Sequence, residues 1–354
     1  MPIEQTWTAL VESLRQAGEK VAANTADLDD AERADGYRAL LRAFNNQLGR
    51  FEVDLERPEL VPFNGWRQKF FMDNPDFRYW VADVRDDRRY RITGTVGDAV
   101  YQSITAYSGI PLAAKAAGRI DSDTINVDAD GRFEVIVSQE QPESGDWLQM
   151  EEGANVVWVR HFHDDVAHDQ LGTASIEPLD PPSTPAEFDT ADLEERIGRL
   201  GFLMNFVPDV WASSLNEEIE RPNELRHWAE MAGGAVYTEP GIHYVRGSWQ
   251  LEADEALVIE GSVVPCRYWN ILLYSRFLNS LDYRSRQVSR TSGNSRINGD
   301  RFSFVISARD PGGAHDWLDT EGRDFGLVVM RWLQPQGDVP LPEVRRCSIA
   351  ELKG

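Results

Sequence analysis

Two stretches of this chain, Tyr90 to Phe162 and Leu257 to Trp332, carry the same short motifs in the same order. Each has an apolar segment that ends in glycine, at Gly94 and Gly261, then a tyrosine-containing segment, a second apolar segment that ends in serine, and the tripeptide Asp-Trp-Leu. Internal repetition constrains a fold strongly, because each copy must form one structural unit. The repeat therefore predicts two equivalent β units in tandem.

Within each copy, β-branched and aromatic residues alternate with Gly, Asp and Pro turns, which predicts short antiparallel strands. A parallel sheet would need a helix between consecutive strands. The predicted fold class is α+β, mainly β, with two tandem antiparallel β-sandwich (jelly-roll-like) units, each preceded by a helical segment. In the first copy the predicted strands are Arg89 to Thr95, Ala99 to Tyr107, Thr124 to Val127, Phe133 to Ser138 and Asn155 to Phe162.

The domain organisation follows from helical apolar spacing and from proline content. An apolar stripe from Tyr37 to Phe51 is expected to pack on a sheet of the following domain, and Asn223 to Ala232 is expected to form a helix. The predicted domains are an N-terminal helical segment (1–64), a first β-sandwich unit (65–175), a Pro-rich linker (176–189), a second helical segment (190–234) and a second β-sandwich unit (235–354).

The net charge and the cysteine content limit which binding partners and which cellular compartment we expect. The formal net charge of −23 at pH 7 makes nucleic acid and membrane headgroups poor partners, because both are anionic. Two cysteines are too few for a disulfide framework, which favours the cytoplasm. We find neither a signal-peptide pattern nor an apolar stretch of the ~20 residues that span a bilayer. Assembly into a homo-oligomer is a further hypothesis.

The second copy carries the more aromatic and polar strand. Tyr268, Asn270 and Tyr274 fall on one face of it, as do Tyr101 and Tyr107 in the first copy. Such a face suits a pocket that is apolar with a few placed polar groups. The alternative is that these tyrosines belong to the core and only their hydroxyls reach its rim.

Histidines give a rival hypothesis. His161 and His163 point to the same side of a predicted strand, and paired imidazoles of this kind begin many metal sites. With His243 they would ligate iron or haem in an oxygenase. The simpler interpretation is a polar strand end that enters an acidic loop.

The segments Cys266-Arg267-Tyr268-Trp269-Asn270 and Trp317-Leu318-Asp319-Thr320, together with Asp73-Asn74-Pro75-Asp76, resemble the bacterial domain-of-unknown-function family 1214. The resemblance implies β-sandwich domains in bacterial proteins and no settled activity. Arg323 stands where the family often has His, and the paired histidines at 161 and 163 are not part of the family pattern.

The leading hypothesis is that the chain binds, and transforms, a small hydrophobic or aromatic molecule in a pocket of the second β unit. A non-catalytic interaction or scaffold protein remains an alternative, beside the metal or haem oxygenase. In the leading hypothesis the catalytic residues are Asp282, as acid or base, and Tyr283, and the ligand-binding residues are Tyr244, Trp249, Arg267, Tyr268, Asn270 and Arg284.

Overall fold

The computed structural model describes residues 2–109, 114–180, 184, 187–228, 239–313 and 315–352. These residues are mainly β, and they contain three α-helices: α1 (Ile3–Asn24), α2 (Asp30–Leu48) and α3 (Thr190–Glu220). Their strands are β1 (Val61–Pro62), β2 (Phe77–Asp83), β3 (Tyr90–Gly97), β4 (Tyr101–Ser108), β5 (Lys115–Asp121), β6 (Arg132–Ser138), β7 (Asp146–Gln149), β8 (Ala154–Phe162), β9 (Leu171–Pro178), β10 (Leu225–His227), β11 (Ile242–Gln250), β12 (Glu255–Ser262), β13 (Tyr268–Tyr274), β14 (Ser289–Thr291), β15 (Ile297–Asn298), β16 (Arg301–Ser307), β17 (Asp316–Asp319), β18 (Phe325–Leu333) and β19 (Glu343–Ser348).

Side-chain caps start two of the helices. The Asp29 carboxylate accepts the N–H of Glu32 at 2.8 Å at the start of α2, and the Asp189 carboxylate accepts the N–H of Ala191 at 2.8 Å at the start of α3. Each bond satisfies a backbone donor that the first helical turn leaves free. α3 runs through Pro208 without ending there. No helix in the described ranges is both long and apolar enough to cross a membrane.

The strands form four sheets. The first half contains a five-stranded sheet in the order β1-β2-β8-β4-β5 and a four-stranded sheet in the order β7-β6-β3-β9. The second half contains a five-stranded sheet in the order β10-β11-β18-β13-β14 and another in the order β15-β16-β12-β19, with β17 paired to β16. Most of the pairs are antiparallel, as predicted, whereas β6–β7 and β16–β17 are parallel.

The repeated Asp-Trp-Leu tripeptides form the short parallel strands β7 and β17. Trp147 Nε1 donates to the carbonyl oxygen of Ser138 at 3.2 Å, and Trp317 Nε1 donates to that of Ser307 at 3.1 Å. The same bond thus recurs in both halves and ties each tripeptide to the neighbouring strand. The agreement between the copies at these residues reflects a structural role.

Two cores fill the space between the sheets. Side chains of β3, β4, β6 and β8 form the core of the first half. The core of the second half also takes in the three helices, including Val21 of α1, Leu40 of α2 and Trp211 of α3. The expectation that the α2 stripe packs on the following domain is therefore wrong, because this helix packs into the second half. Gly36 of α2 shows how close the packing is, since an added Cβ would lie 3.0 Å from the Phe277 ring.

Two local predictions are wrong, and two strands are not predicted, for identifiable reasons. The predicted helix from Asn223 to Ala232 is wrong at Leu225–His227, which is a strand along β11; residues 229–232 lie outside the described residues. Thr124 to Val127 is not a strand, because the N–H groups of Thr124 and Ile125 fold back to the Asp121 carbonyl. β5 and β9 went unpredicted, since Lys115–Asp121 carries little apolar alternation and β9 ends at a proline.

Candidate functional site

A cavity of about 320 Å³ lies where α2, the loop from Trp66 to Lys69 and the loop from Ser275 to Arg286 meet. Charged side chains dominate its wall, which differs from the apolar pocket expected from the sequence. Five basic residues and three acidic residues line it, so the lining is positive in a chain of net charge −23. The charged lining residues are Arg38, Arg42, Lys69, Arg286 and Arg323, with Asp35, Asp282 and Glu321.

Three of these cations already have carboxylate partners. Arg323 donates to Glu32 at 2.6 Å and to Asp35 at 2.9 Å, Arg38 pairs with Asp35, and Arg286 pairs with Asp319 at 2.7 Å. Their charges are therefore compensated within the protein.

Lys69 is the most deeply buried cation of the cavity, with 1% of its surface exposed. Its Nζ donates to the carbonyl oxygens of Ser280 at 2.5 Å and Leu281 at 2.8 Å. The nitrogen lies 4.8 Å from the Trp66 ring centroid and 4.6 Å from that of Tyr283. Burial lowers the pKa of Lys69 to about 8, because the charged form loses its hydration.

Arg42 approaches the same tryptophan, with its guanidinium carbon 5.5 Å from the Trp66 ring centroid. Burial, with the nearby charge of Arg38, lowers the pKa of Arg42 from its usual value. Within the described part of the chain, neither Arg42 nor Lys69 lies within 4.0 Å of a carboxylate oxygen. Both cations therefore line the cavity without an ion pair among the described residues.

Asp282, Tyr283 and Arg284, predicted from the sequence, all lie at this cavity or beside it. One oxygen of Asp282 accepts the N–H of Arg284 at 3.0 Å and that of Ser285 at 3.3 Å, so the side chain holds the turn. Burial raises the pKa of the Tyr283 hydroxyl to about 12. The Arg284 guanidinium lies 5.4 Å from the Trp66 ring. A catalytic role for Asp282 and Tyr283 stays a prediction.

Tyr268 and Asn270 lie elsewhere, where the sheet that contains β13 and β18 meets the sheet that contains β4 and β8. The Tyr268 hydroxyl donates to Asp76 at 3.2 Å, and the Asn270 amide donates to the same oxygen at 3.0 Å. Both side chains are fully buried, and neither lines the cavity described above. They hold a carboxylate from the first half of the chain. Arg267 pairs with Asp123, also from the first half.

The remaining two predicted ligand residues have different surroundings. Trp249 is fully buried against Gly326, where an added Cβ would fall 2.2 Å from the indole. Trp249 therefore belongs to the core. Tyr244 keeps part of its surface accessible and lies 5.5 Å from the guanidinium carbon of Arg331.

The three histidines of the metal hypothesis are held in separate contacts. His161 is fully buried, with its ring centroid 5.0 Å from that of Trp80, and burial lowers its pKa to about 3. His163 Nδ1 lies 3.0 Å from an oxygen of Asp169. His243 Nε2 lies 2.8 Å from Nδ1 of His227. Across the described ranges, no group of three or more His, Cys, Asp or Glu side chains is arranged to hold a metal ion.

The sequence-based prediction missed Trp66, Lys69 and Arg42, which line the cavity. All three come from the first 70 residues, whereas Asp282 and Glu321 come from the second half. The local sequence indicates this site only through a lysine three residues after a tryptophan, in a segment that contains Pro and Gly. Trp66, Lys69 and Arg42 meet the second-half residues because α2 packs against the second half.

Comparison with known proteins identifies relatives without a known activity. Residues 81–164 match the model of a family described as protein of unknown function (DUF1214). An uncharacterised protein from Burkholderia cenocepacia has a similar crystal structure, with 28% identity, 98% of each chain covered and a TM-score of 0.91. The VPA0106 protein from Vibrio parahaemolyticus shares the fold at 12% identity, with 95% of this chain and 98% of that chain covered and a TM-score of 0.51. No curated protein matches the chain. The family match confirms the resemblance to the DUF1214 family that the sequence motifs indicated.

Proposed function

We propose that this chain binds a small organic anion in the cavity between α2 and the Ser275 to Arg286 loop. The observation that carries the proposal is the pair Arg42 and Lys69, which line the cavity without a carboxylate partner in the described chain. A buried cation that lacks a counter-ion destabilises the protein, and a bound anion offsets that cost.

The cavity fits a ligand of modest size. Its volume of about 320 Å³ lies at the lower end of the range for small-molecule sites, roughly 300 to 1,000 Å³. Trp66 and Tyr283 provide aromatic surface beside the two cations. The sequence predicts an aromatic ligand, and the proposal keeps this prediction. The ligand has an aromatic body, and its anionic group binds Arg42 and Lys69.

Proton transfer by Lys69 is a second candidate function. A lysine with a pKa of about 8 exchanges protons near neutral pH, as a general base or acid must. Titration of ¹³C-labelled lysine side chains by NMR should show one signal, absent from Lys69→Met, with a midpoint near pH 8. A Lys69 signal that does not move between pH 7 and 9 would remove this candidate.

Calorimetric titration with malonate, citrate and inorganic phosphate tests the binding proposal. Arg42→Gln and Lys69→Met should each raise the Kd of the best probe about tenfold or more, since each removes one charge-assisted contact. Arg38→Gln is the matched control, because Arg38 lines the same cavity but is paired with Asp35. Absence of binding in the millimolar range, or equal losses in all three variants, would contradict the proposal.

We further infer that each half forms a β-sandwich of the jelly-roll type and that the halves arose by internal duplication. The matching strand orders support this inference, since β2, β4 and β8 have the same neighbours as β11, β13 and β18. The recurring Trp147 and Trp317 bonds support it too. Superposition of the two halves of an experimental structure would test it; failure of the equivalent strands to superpose would contradict duplication.

We place the chain in the cytoplasm, because Cys266 and Cys347 are both free thiols. Cell fractionation of the native host would check this location, and recovery outside the cytoplasm would contradict it.

Two alternative functions are a metal or haem oxygenase and a scaffold protein. Within the described ranges, no specific contact supports either of them.

A further inference from the structure

Three cationic side chains converge on a single indole ring at the wall of the cavity that holds Lys69. We propose that this cluster selects a phosphate monoester, so that the anionic group of the ligand is a phosphate dianion rather than a single carboxylate. The inference rests on the proposed function, because it names the chemical class of the ligand of that same cavity. It adds Arg284 as a residue that recognises the ligand.

The Trp66 indole is the centre of the cluster. The guanidinium carbons of Arg42 and Arg284 lie 5.5 Å and 5.4 Å from its ring centroid, and Lys69 Nζ lies 4.8 Å from it. The ring attracts each cation, but the three cations repel one another. Together they produce a local concentration of positive charge that attracts an anion, in a chain of net charge −23.

The protein itself uses few of the hydrogen-bond donors of these cations. In the described part of the chain, no side-chain nitrogen of Arg42 or Arg284 donates a hydrogen bond or forms an ion pair. Lys69 Nζ donates only to the carbonyl oxygens of Ser280 and Leu281, which leaves its third N–H group. The cluster thus has both the charge and the donors that a group with several negatively charged oxygens requires.

The cluster has room for such a group. Trp66, Arg42 and Lys69 line the cavity of about 320 Å³. Arg284 is exposed, so its guanidinium can approach the ligand at little cost in packing. A phosphate group can therefore bind beside the indole without displacing a core side chain.

Two carboxylates near the cluster are held by other contacts. Asp73 accepts the backbone N–H of Ser280 at 2.8 Å and the hydroxyl of the same residue at 2.6 Å. Asp282 accepts the backbone N–H groups of Arg284 and Ser285. Both carboxylates reduce the positive potential of the cluster, but neither forms an ion pair within the described ranges. They therefore do not take the place of an anionic ligand.

The charge and the shape of a phosphate monoester match the cluster. At pH 7 this group carries a charge of roughly −1.5 to −2 and has three strong acceptor oxygens. A carboxylate has only two oxygens and a single charge. The planar fork of an arginine binds two phosphate oxygens at once. In the proposed complex, Arg42 and Arg284 bind the phosphate oxygens and Lys69 adds a third positive charge.

Calorimetric titration with phenyl phosphate, phenyl methyl phosphate and benzoate tests this inference. All three ligands have a phenyl body, but only phenyl phosphate is a dianion. We expect one phenyl phosphate per chain, bound about tenfold or more tightly than either of the other two. If benzoate binds as tightly as phenyl phosphate, the proposed function stands and the phosphate monoester is wrong. If none of the three binds in the millimolar range, the proposed function fails as well.

Variants test the contribution of Arg284. Arg284→Gln should raise the Kd of phenyl phosphate about tenfold and that of benzoate less than about threefold, because Arg42 and Lys69 suffice for a single charge. Arg67→Gln is the matched control, because Arg67 is exposed, follows Trp66 in the sequence and carries the same charge. Both arginines are exposed, so we expect both variants to fold. Equal effects of the two variants on the phenyl phosphate Kd would overturn the inference, since net charge alone would then explain the attraction.

Discussion

The carboxylate of Glu239, from the second half of the chain, accepts a hydrogen bond of 2.7 Å from the hydroxyl of Ser103 in the first half. The same carboxylate accepts a bond of 3.0 Å from Arg119 Nε and contacts Arg160 at 3.3 Å. Asp76 makes the reciprocal contact from the first half to Tyr268 and Asn270. Each half therefore inserts one acidic side chain into the central strands of the other.

Replacing Glu239 should strongly destabilise the protein. Glu239→Ala leaves the buried Arg160 without its carboxylate, which costs about 3 to 5 kcal/mol in unfolding free energy. Urea unfolding measures the loss, and added acetate should recover part of it by occupying the vacated position. Asp180→Ala is the control, because its 2.9 Å pair with Arg89 is exposed to solvent and screened, so its loss should change the stability little. Equal losses in the two variants would contradict the expectation.

Asp76 should make stability fall as pH rises from about 4 to 6. The folded protein keeps the Asp76 proton up to a pKa of about 6, whereas the unfolded chain releases it near 3.8. Folding is thus favoured below this window, and the contribution is lost as pH rises through it. Asp76→Asn removes the effect, so its stability relative to wild type should increase by about 2 to 3 kcal/mol between pH 4 and 7.

Urea unfolding of both proteins at pH 4 and pH 7 checks the Asp76 prediction. Asp130→Asn is a control with an exposed carboxylate. A difference between Asp76→Asn and wild type that stays constant with pH would show that Asp76 is charged throughout this range.

We expect His161 to lower the unfolding free energy of the protein at acidic pH. Its pKa is about 3 in the folded protein, below the usual 6.5, so the unfolded chain binds the proton first and stability falls as pH drops below about 6.5. Both ring nitrogens are buried without hydrogen-bond partners. His161→Phe should therefore raise the unfolding free energy by about 1 to 3 kcal/mol and reduce its loss between pH 6.5 and 5.

Thermal unfolding at pH 5 and pH 7 measures the His161 effect, and metal analysis of the same samples tests the rival hypothesis. Iron that is present in the wild type and lost from His161→Phe would favour the oxygenase alternative. His168→Phe is the matched control, because the His168 side chain is 83% exposed.

The repeated glycines Gly94 and Gly261 should respond to alanine to different degrees. A Cβ on Gly94 would lie 2.0 Å from the Thr173 carbonyl oxygen, so the backbone of β9 must move. The three atoms nearest to a Cβ on Gly261 would all belong to the Phe302 ring, the first at 2.5 Å. We expect Gly94→Ala to cost about 3 kcal/mol or more and Gly261→Ala about 1 to 2 kcal/mol. Chemical denaturation would contradict the argument if Gly261→Ala were the more destabilising variant.

Local patterns predicted much of the secondary structure because their signals are short-range. Apolar spacing indicated α1, α2 and the start of α3, and the repeated motifs indicated β3, β4, β6 and β8 with their partners in the second half. The strand at Leu225–His227 was predicted as helix because its pairing partner, β11, decides its conformation. Propensity alone cannot show such a partner.

The residues that form the candidate site are brought together by long-range contacts, which no local sequence pattern shows. The sequence predicts Asp282, Tyr283 and Arg284 as site residues, and all three lie at the cavity or beside it. Lys69 joins them from more than 200 residues away, through bonds of 2.5 and 2.8 Å to the carbonyls of Ser280 and Leu281.

By itself, the sequence determined the mainly β fold class, the helical segments and the resemblance to the DUF1214 family, because these depend on periodicity and on motifs of a few residues. Only the tertiary structure decided that the N-terminal helices pack into the second half, that Lys69 and Arg42 share a cavity, and that Glu239 satisfies Arg160. The physical reason is that burial and ion pairing depend on which distant segments meet. That choice is made by packing over the whole chain.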